Sequence, residues 1–168
     1  MTPKQFVEKF RLYALATESK SGISATFILA QAALESGWGK KAPGYNFFGI
    51  KDRSGKDENR QLLTTTEFST RDDLKFPEII SITPVMMNNR QMYRYRIRDY
   101  FRKYNSPEDS FDDHSQFFYK NPRYRVALGS AKDPVQFAIQ VAKAGYATDP
   151  DYANTLIKVI RMIENQVK

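Results

Sequence analysis

Cysteine is absent from all 168 residues, so disulfides and thiolate metal ligands are excluded outright. Histidine is nearly absent as well, since His114 stands alone. A zinc site of clustered His and Cys has no material here, and neither a metal nor another cofactor is expected. A Ser-His-Asp or Cys-His enzyme would have to use this one histidine, and no nucleophile elbow accompanies it. Glycine-rich phosphate loops, internal repeats and low-complexity tracts are missing too. No stretch approaches the roughly 18 consecutive apolar residues of a membrane span, so stable membrane insertion is not expected. Met1-Thr2-Pro3-Lys4-Gln5 lacks the apolar run of a secretory signal, which implies either a removed leader or another export route. With those chemistries set aside, proton transfer in any enzyme built from this chain falls to carboxylates.

What is present suits one monomeric domain. The chain is 41% hydrophobic with 12 Phe and 10 Tyr, enough for a real core. A net charge of +7 favours an anionic partner, and nucleic acid, anionic lipid and bacterial wall polymers all qualify; a soluble protein that is merely basic looks the same. No nucleic-acid motif is found, so no nucleic-acid partner is expected.

Apolar spacing predicts a first helix over residues 3–20, started by Thr2-Pro3 and broken by Ser21-Gly22. A second runs over 25–36, with Ser24 as N-cap and Gly37 as stop. Its interior is apolar nearly all round, which predicts a central, buried helix. Leu62-Leu63-Thr64-Thr65-Thr66-Glu67-Phe68 reads as a strand, and so does the alternating run 92–100, with Tyr93, Tyr95 and Ile97 opposite Arg94, Arg96 and Arg98. Paired antiparallel, the two form a hairpin. The stretch between them, residues 69–91 with Pro77 and Pro84, reads as a long excursion, a lid or flap with order of its own. Ser106-Pro107, Asn121-Pro122, Asp133-Pro134 and Asp149-Pro150 each pair a capping side chain with a proline and open four more helices. The expected fold is mainly α, one domain over 1–168 with a small antiparallel β-hairpin lobe (α+β) at about 45–104.

Glu35 draws attention on physical grounds. It falls on one stripe with Ile28 and Ala32, in the last turn, where the helix dipole disfavours a carboxylate. Partial burial would add to that, and both raise its pKa, as a glycosidic proton donor requires. An acid reaching solvent, or paired with Lys40 or Lys41, fits the same position. Gly37-Trp38-Gly39 follows, a tight turn around the one tryptophan, suited to sugar stacking or to core packing. Tyr146, between Gly145 and the next cap, reads as a packing tyrosine, His114 as structural, and the arginine stripe as a solvated strand face.

The run Ile28-Leu29-Ala30-Gln31-Ala32-Ala33-Leu34-Glu35-Ser36-Gly37-Trp38-Gly39 resembles the catalytic-helix signature of the family 73 glycoside hydrolases. These N-acetylglucosaminidases include the C-terminal domain of a flagellar rod muramidase homologue. Tyr45-Asn46-Phe47-Phe48-Gly49-Ile50-Lys51, Thr65-Thr66-Glu67-Phe68, Phe101-Arg102-Lys103-Tyr104, Ser110-Phe111-Asp112-Asp113-His114, Asn121-Pro122-Arg123-Tyr124 and Ala144-Gly145-Tyr146-Ala147-Thr148-Asp149-Pro150 are similar to further family segments, in family order. The resemblance implies a lysozyme-like fold and endo-type hydrolysis of the GlcNAc-β-1,4-MurNAc bond in peptidoglycan glycan strands. It implies Glu35 as general acid, Glu67 as the base that activates water, and Tyr146 near the substrate's acetamido group. Trp38, Tyr45, Asn46 and Phe48 become the expected substrate contacts, and the periplasm or extracellular wall the place of action. Three alternatives stay open: cleavage at muramic acid by a muramidase or lytic transglycosylase of the same fold, attack by the acetamido group, and a wall-binding module without turnover. The 69–91 stretch is longer than the family's expected turn. With no wall-binding or rod-assembly segment recognisable, a free-standing autolysin or phage-type endolysin is favoured.

Overall fold

Thr2 closes a capping box at the start of α1 (Pro3–Ser21), where its hydroxyl accepts from the Gln5 amide and the Gln5 side chain accepts from the Thr2 amide. The structure, a computed structural model, describes residues 1–55 and 57–167. They divide into a helical unit, Met1–Gly49 with Tyr104–Lys168, and a β unit, Ile50–Lys103. No helix among the described residues is long and apolar enough to cross a membrane.

The helical unit is built around α2 (Ala25–Ser36), whose residues from Ala25 to Ala33 are buried apart from Thr26. Ser24 makes no side-chain cap; Glu18 of α1 accepts from the Ala25 amide at 3.0 Å in its place. Four alanines let neighbouring helices come close, and α2 packs against α1, α5 (Pro134–Lys143) and α6 (Tyr152–Glu164). Phe27 meets Phe137 at 4.5 Å and Phe118 at 6.0 Å, ring centre to ring centre. Removing that ring would cost about 3–5 kcal/mol. Phe6, Phe10, Phe47 and Phe111 form a second aromatic cluster.

Helix α3 (Pro107–Lys120) is capped by Ser106 and α5 by Asp133, as the Ser-Pro and Asp-Pro pairs predict. The other two starts differ. Asn121 makes no cap, and a 3-10 turn precedes the four-residue α4 (Arg125–Leu128). Asp149 accepts from the Asp151 amide, so α6 begins at Tyr152 rather than at Pro150. The expected α6 stripe of Tyr152, Leu156, Ile160 and Ile163 is buried, while Val167 lies past the helix and is exposed.

The β unit is not a hairpin but a three-stranded antiparallel sheet in the order β1-β3-β2. β1 (Arg60–Ser69) pairs with β3 (Arg90–Arg102) as expected. The excursion, however, holds β2 (Glu78–Met87), which pairs with the other side of β3. Asn88 and Asn89, at φ 50 and 58, supply the two left-handed residues a tight β2–β3 turn needs. A bulge at Ile80 shifts the register, and Pro84 sits on the edge strand, where its missing N–H is tolerated. Residues 70–77 are fastened by Tyr95, whose hydroxyl donates to the Arg71 carbonyl at 2.7 Å and accepts from the Leu74 amide at 3.3 Å.

Candidate active site

Glu35 ends α2. The stripe it shares begins buried, with Ile28 at 3% and Ala32 at 0% exposure, but Glu35 itself is exposed, while Ser36 beside it is buried at 0%. Sequence reading expected partial burial of the residue; only the carboxyl group is crowded. That crowding raises its pKa from the ordinary carboxylate value, and a bond from the Tyr152 hydroxyl to Oε1, at 3.2 Å, works in the opposite direction. No salt bridge joins Glu35 to Lys40 or Lys41 among the described residues. The result is an acid held by one directional donor while its face stays open to solvent.

A buried chain of hydrogen bonds stands behind that donor. His114 on α3, at 5% exposure, faces the Gln31 carbonyl through Nε2 at 2.8 Å. Gln31 Nε2 then donates to the Tyr152 oxygen at 2.9 Å. With a lone pair of Tyr152 engaged by Gln31, its proton is left for Glu35. Burial depresses the His114 pKa to about 3, so the imidazole is neutral at ordinary pH and carries its proton on Nε2. The ring stacks on Phe48 with centres 3.7 Å apart. Tyr146 stacks on Tyr152 at 5.5 Å, its hydroxyl 3.5 Å from His114 Nε2, and burial raises its pKa. Arg123 donates to the Gly145 carbonyl and steadies the turn that carries Tyr146.

The turn after α2 is shaped by three successive left-handed residues, Gly37 (φ 57), Trp38 (φ 59) and Gly39 (φ 76). A tryptophan there is strained, and a side chain at residue 39 would run into Met1 and approach Phe6. The Trp38 amide donates to the Ala33 carbonyl at 2.8 Å, and its ring meets Phe6 edge to face at 5.7 Å. Tyr45, also left-handed at φ 54, is 40% exposed, whereas Asn46 is 3% exposed and offers a ligand little surface. Phe48 is half-buried through its stack on His114.

Glu67 lies on β1 in the β unit. The register sets it opposite Tyr95 and so on the inward face, with Leu63, Thr65, Tyr93, Ile97 and Asp99. Sequence alone could not choose that face. Its Oε1 is 2.7 Å from Lys51 Nζ, and Lys51 is 3.0 Å from Asp99 Oδ2. Arg94 and Arg96 are exposed on the opposite face, and Arg98 pairs with Glu78. No group of His, Asp and Glu suited to a metal ion occurs among the described residues.

Within the helical unit, then, Glu35, Tyr146 and Phe48 are joined through Tyr152, Gln31 and His114. Sequence reading missed Tyr152 and Gln31 as contributors, and in the β unit Asp99. Each left a signal: Gln31 is a lone amide in an apolar helix, and Asp99 an acid at an inward strand position.

Residues 12–165 match the glucosaminidase family model, described as mannosyl-glycoprotein endo-beta-N-acetylglucosaminidase. The chain is 33% identical to the peptidoglycan hydrolase FlgJ of Vibrio parahaemolyticus over 98% of its own length and 48% of that protein's. It is 27% identical to the exo-glucosaminidase LytG of Bacillus subtilis, over 92% of the chain and 49% of LytG. It thus spans about half the length of these relatives. The solved glycoside hydrolase domain of Salmonella typhimurium FlgJ, C-terminally truncated, superposes with a TM-score of 0.72 at 31% identity, covering 97% of this chain and 98% of that one.

Proposed function

Since the chain belongs to the glucosaminidase family, matched from residue 12 to 165, we propose that it is a peptidoglycan hydrolase, an endo-β-N-acetylglucosaminidase that cleaves the GlcNAc-β-1,4-MurNAc bond. The observation that carries the reading is Glu35: a carboxyl group whose crowding favours the protonated form, at a helix end open to solvent, with one tyrosine donor fixing its orientation. Such a group can hand its proton to a leaving glycosidic oxygen. As the C–O bond breaks, its electron pair takes the Glu35 proton. Water, deprotonated by Glu67, bonds to the anomeric carbon. Tyr146, a neutral hydroxyl beside His114, serves the 2-acetamido group, and the faces of Trp38, Tyr45 and Phe48 serve as sugar platforms. Asn46, 3% exposed in the same segment, is the fourth substrate contact of this reading. The chain acts as a single catalytic domain on wall glycan, outside the cytoplasmic membrane, where the net charge of +7 draws it to an anionic polymer.

The test is a product analysis. Purified peptidoglycan is digested with wild type, Glu35→Gln and Glu67→Gln, and the new ends are read by mass spectrometry with and without borohydride reduction. New reducing N-acetylglucosamine ends that vanish with Glu35→Gln support the reading. Reducing or anhydro muramic acid ends would replace it with a muramidase or transglycosylase, and no cleavage by wild type with a binding module.

A further inference from the structure

Lys51 carries no role in the reaction as described so far, although it closes the aromatic segment singled out in the sequence. Its backbone is laid along β3. Lys51 bridges to Phe101, the Asp52 amide donates to the Tyr100 carbonyl at 2.9 Å, and the Arg102 amide donates to the Ile50 carbonyl at 2.9 Å. This seam aims the side chain at the inward face of the sheet, where the ammonium lies between Glu67 and Asp99 and 5.8 Å from the centre of the Phe76 ring.

Asp99 is the unusual member. It is fully buried on a sheet, and among the described residues its Oδ2 has no hydrogen-bond donor of ordinary geometry. The Lys51 charge at 3.0 Å compensates that oxygen, while Oδ1 accepts from the Tyr100 amide at 2.8 Å and faces Arg53 at 3.7 Å. A buried carboxylate is costly, and a sheet needs none for its folding. Burial disfavours the Lys51 ammonium, but the adjacent Glu67 and Asp99 carboxylates outweigh that and raise its pKa.

Taking Glu67 as the base, we infer that Lys51, itself anchored by Asp99, is the positioning residue for Glu67. Lys51 occupies Oε1 of Glu67 and leaves Oε2 to take a proton from water. Asp99 matters for charge as well as for place. Lys51 paired with Glu67 alone would weaken it as a base, but the ammonium is shared with Asp99, which Arg53 also faces, so two acids stand against two cationic side chains. The water proton passes to Glu67 as the water oxygen bonds to the anomeric carbon. The base is thus oriented while Asp99 draws off part of the lysine charge.

The test uses Lys51→Met, Lys51→Arg and Asp99→Asn in the full chain, assayed for new reducing ends on purified peptidoglycan. Lys51→Met should lower kcat about 10- to 100-fold with KM within about twofold, and Lys51→Arg should recover part of the loss. Asp99→Asn should lower kcat about 10-fold in the same manner. In a Glu67→Gln background, Lys51→Met should change the residual rate by less than about twofold, because it acts through Glu67. Wild-type turnover by Lys51→Met, or an equal loss in both backgrounds, overturns the inference. Wild-type turnover by Glu67→Gln fails differently, since it removes the base itself and the proposal that rests on it. Circular dichroism checks folding, and Asp99→Asn, isosteric and neutral, carries the same comparison should Lys51→Met not fold.

Discussion

Replacing Tyr152 by Phe removes one oxygen, and that oxygen has two duties of opposite consequence. Toward Glu35 it donates at 3.2 Å, a long bond for a hydroxyl and one to a group with solvent access. We therefore place its preference for the carboxylate at the low end of charged hydrogen bonds, about 1 kcal/mol or less. Losing it favours the protonated acid, so the alkaline limb of the kcat–pH profile should move upward, by somewhat under about one pH unit. Toward the core, the same oxygen accepts from Gln31, whose amide N–H would be left without a partner in a site at 0% exposure. That should destabilise the fold by about 1–3 kcal/mol. The two effects separate cleanly in one variant: a lower melting temperature and a more basic alkaline limb. A limb that stays put or moves toward acid, in a variant shown to be folded, would refute the account of Tyr152 as the donor that tempers Glu35.

Three other outcomes are expected. Glu35→Gln keeps an oxygen for Tyr152 and should lower kcat about 10²- to 10⁴-fold, with a melting temperature shift of no more than about 2 °C. His114 takes a proton near pH 6.5 when unfolded but only near pH 3 when folded, so its contribution to stability is full above 6.5 and is lost as pH falls toward 3. The urea stability gap between wild type and His114→Asn should therefore narrow between pH 7 and 4, and a constant gap would show that the folded and unfolded imidazoles take up protons alike. Tyr95→Phe deletes two bonds to residues 71 and 74 and should cost about 1–2 kcal/mol, with faster amide exchange confined to residues 70–77.

The helices were legible because their signals are local. Thr2, Ser106 and Asp133 cap by hydrogen bonds within three residues, and Gly22 and Gly37 stop helices by backbone conformation alone. The buried α2 was equally plain from an apolar run too long to face water. β2 was missed because Pro84 argues against a strand and an edge strand is the one place where that argument lapses. Its turn, Asn88-Asn89, was a readable signal passed over. In the candidate site, Glu35 stood out by breaking a local rule, but its surroundings are tertiary. Tyr152 lies 117 positions away in sequence and joins Glu35 only after α2 and α6 pack. No spacing rule could make the His114–Gln31 contact, across 83 positions, visible in advance. Glu67 was placed on a strand correctly, but its face depended on register with β3, which the turn and the bulge fix rather than the residue itself.

The edge formed by β2 bears on how the protein behaves in company. Among the described residues this strand pairs with β3 alone, and Ile79, Ile80, Ile82 and Met86 are 41%, 52%, 40% and 69% exposed along it. An apolar edge of ten residues is a template for a second chain and a seed for fibrillar assembly. Two devices already described interrupt it: the bulge at Ile80 breaks the even spacing of bonding groups, and Pro84 removes a donor near the middle. Copies of the chain can therefore stand at high local concentration without their sheets zipping together.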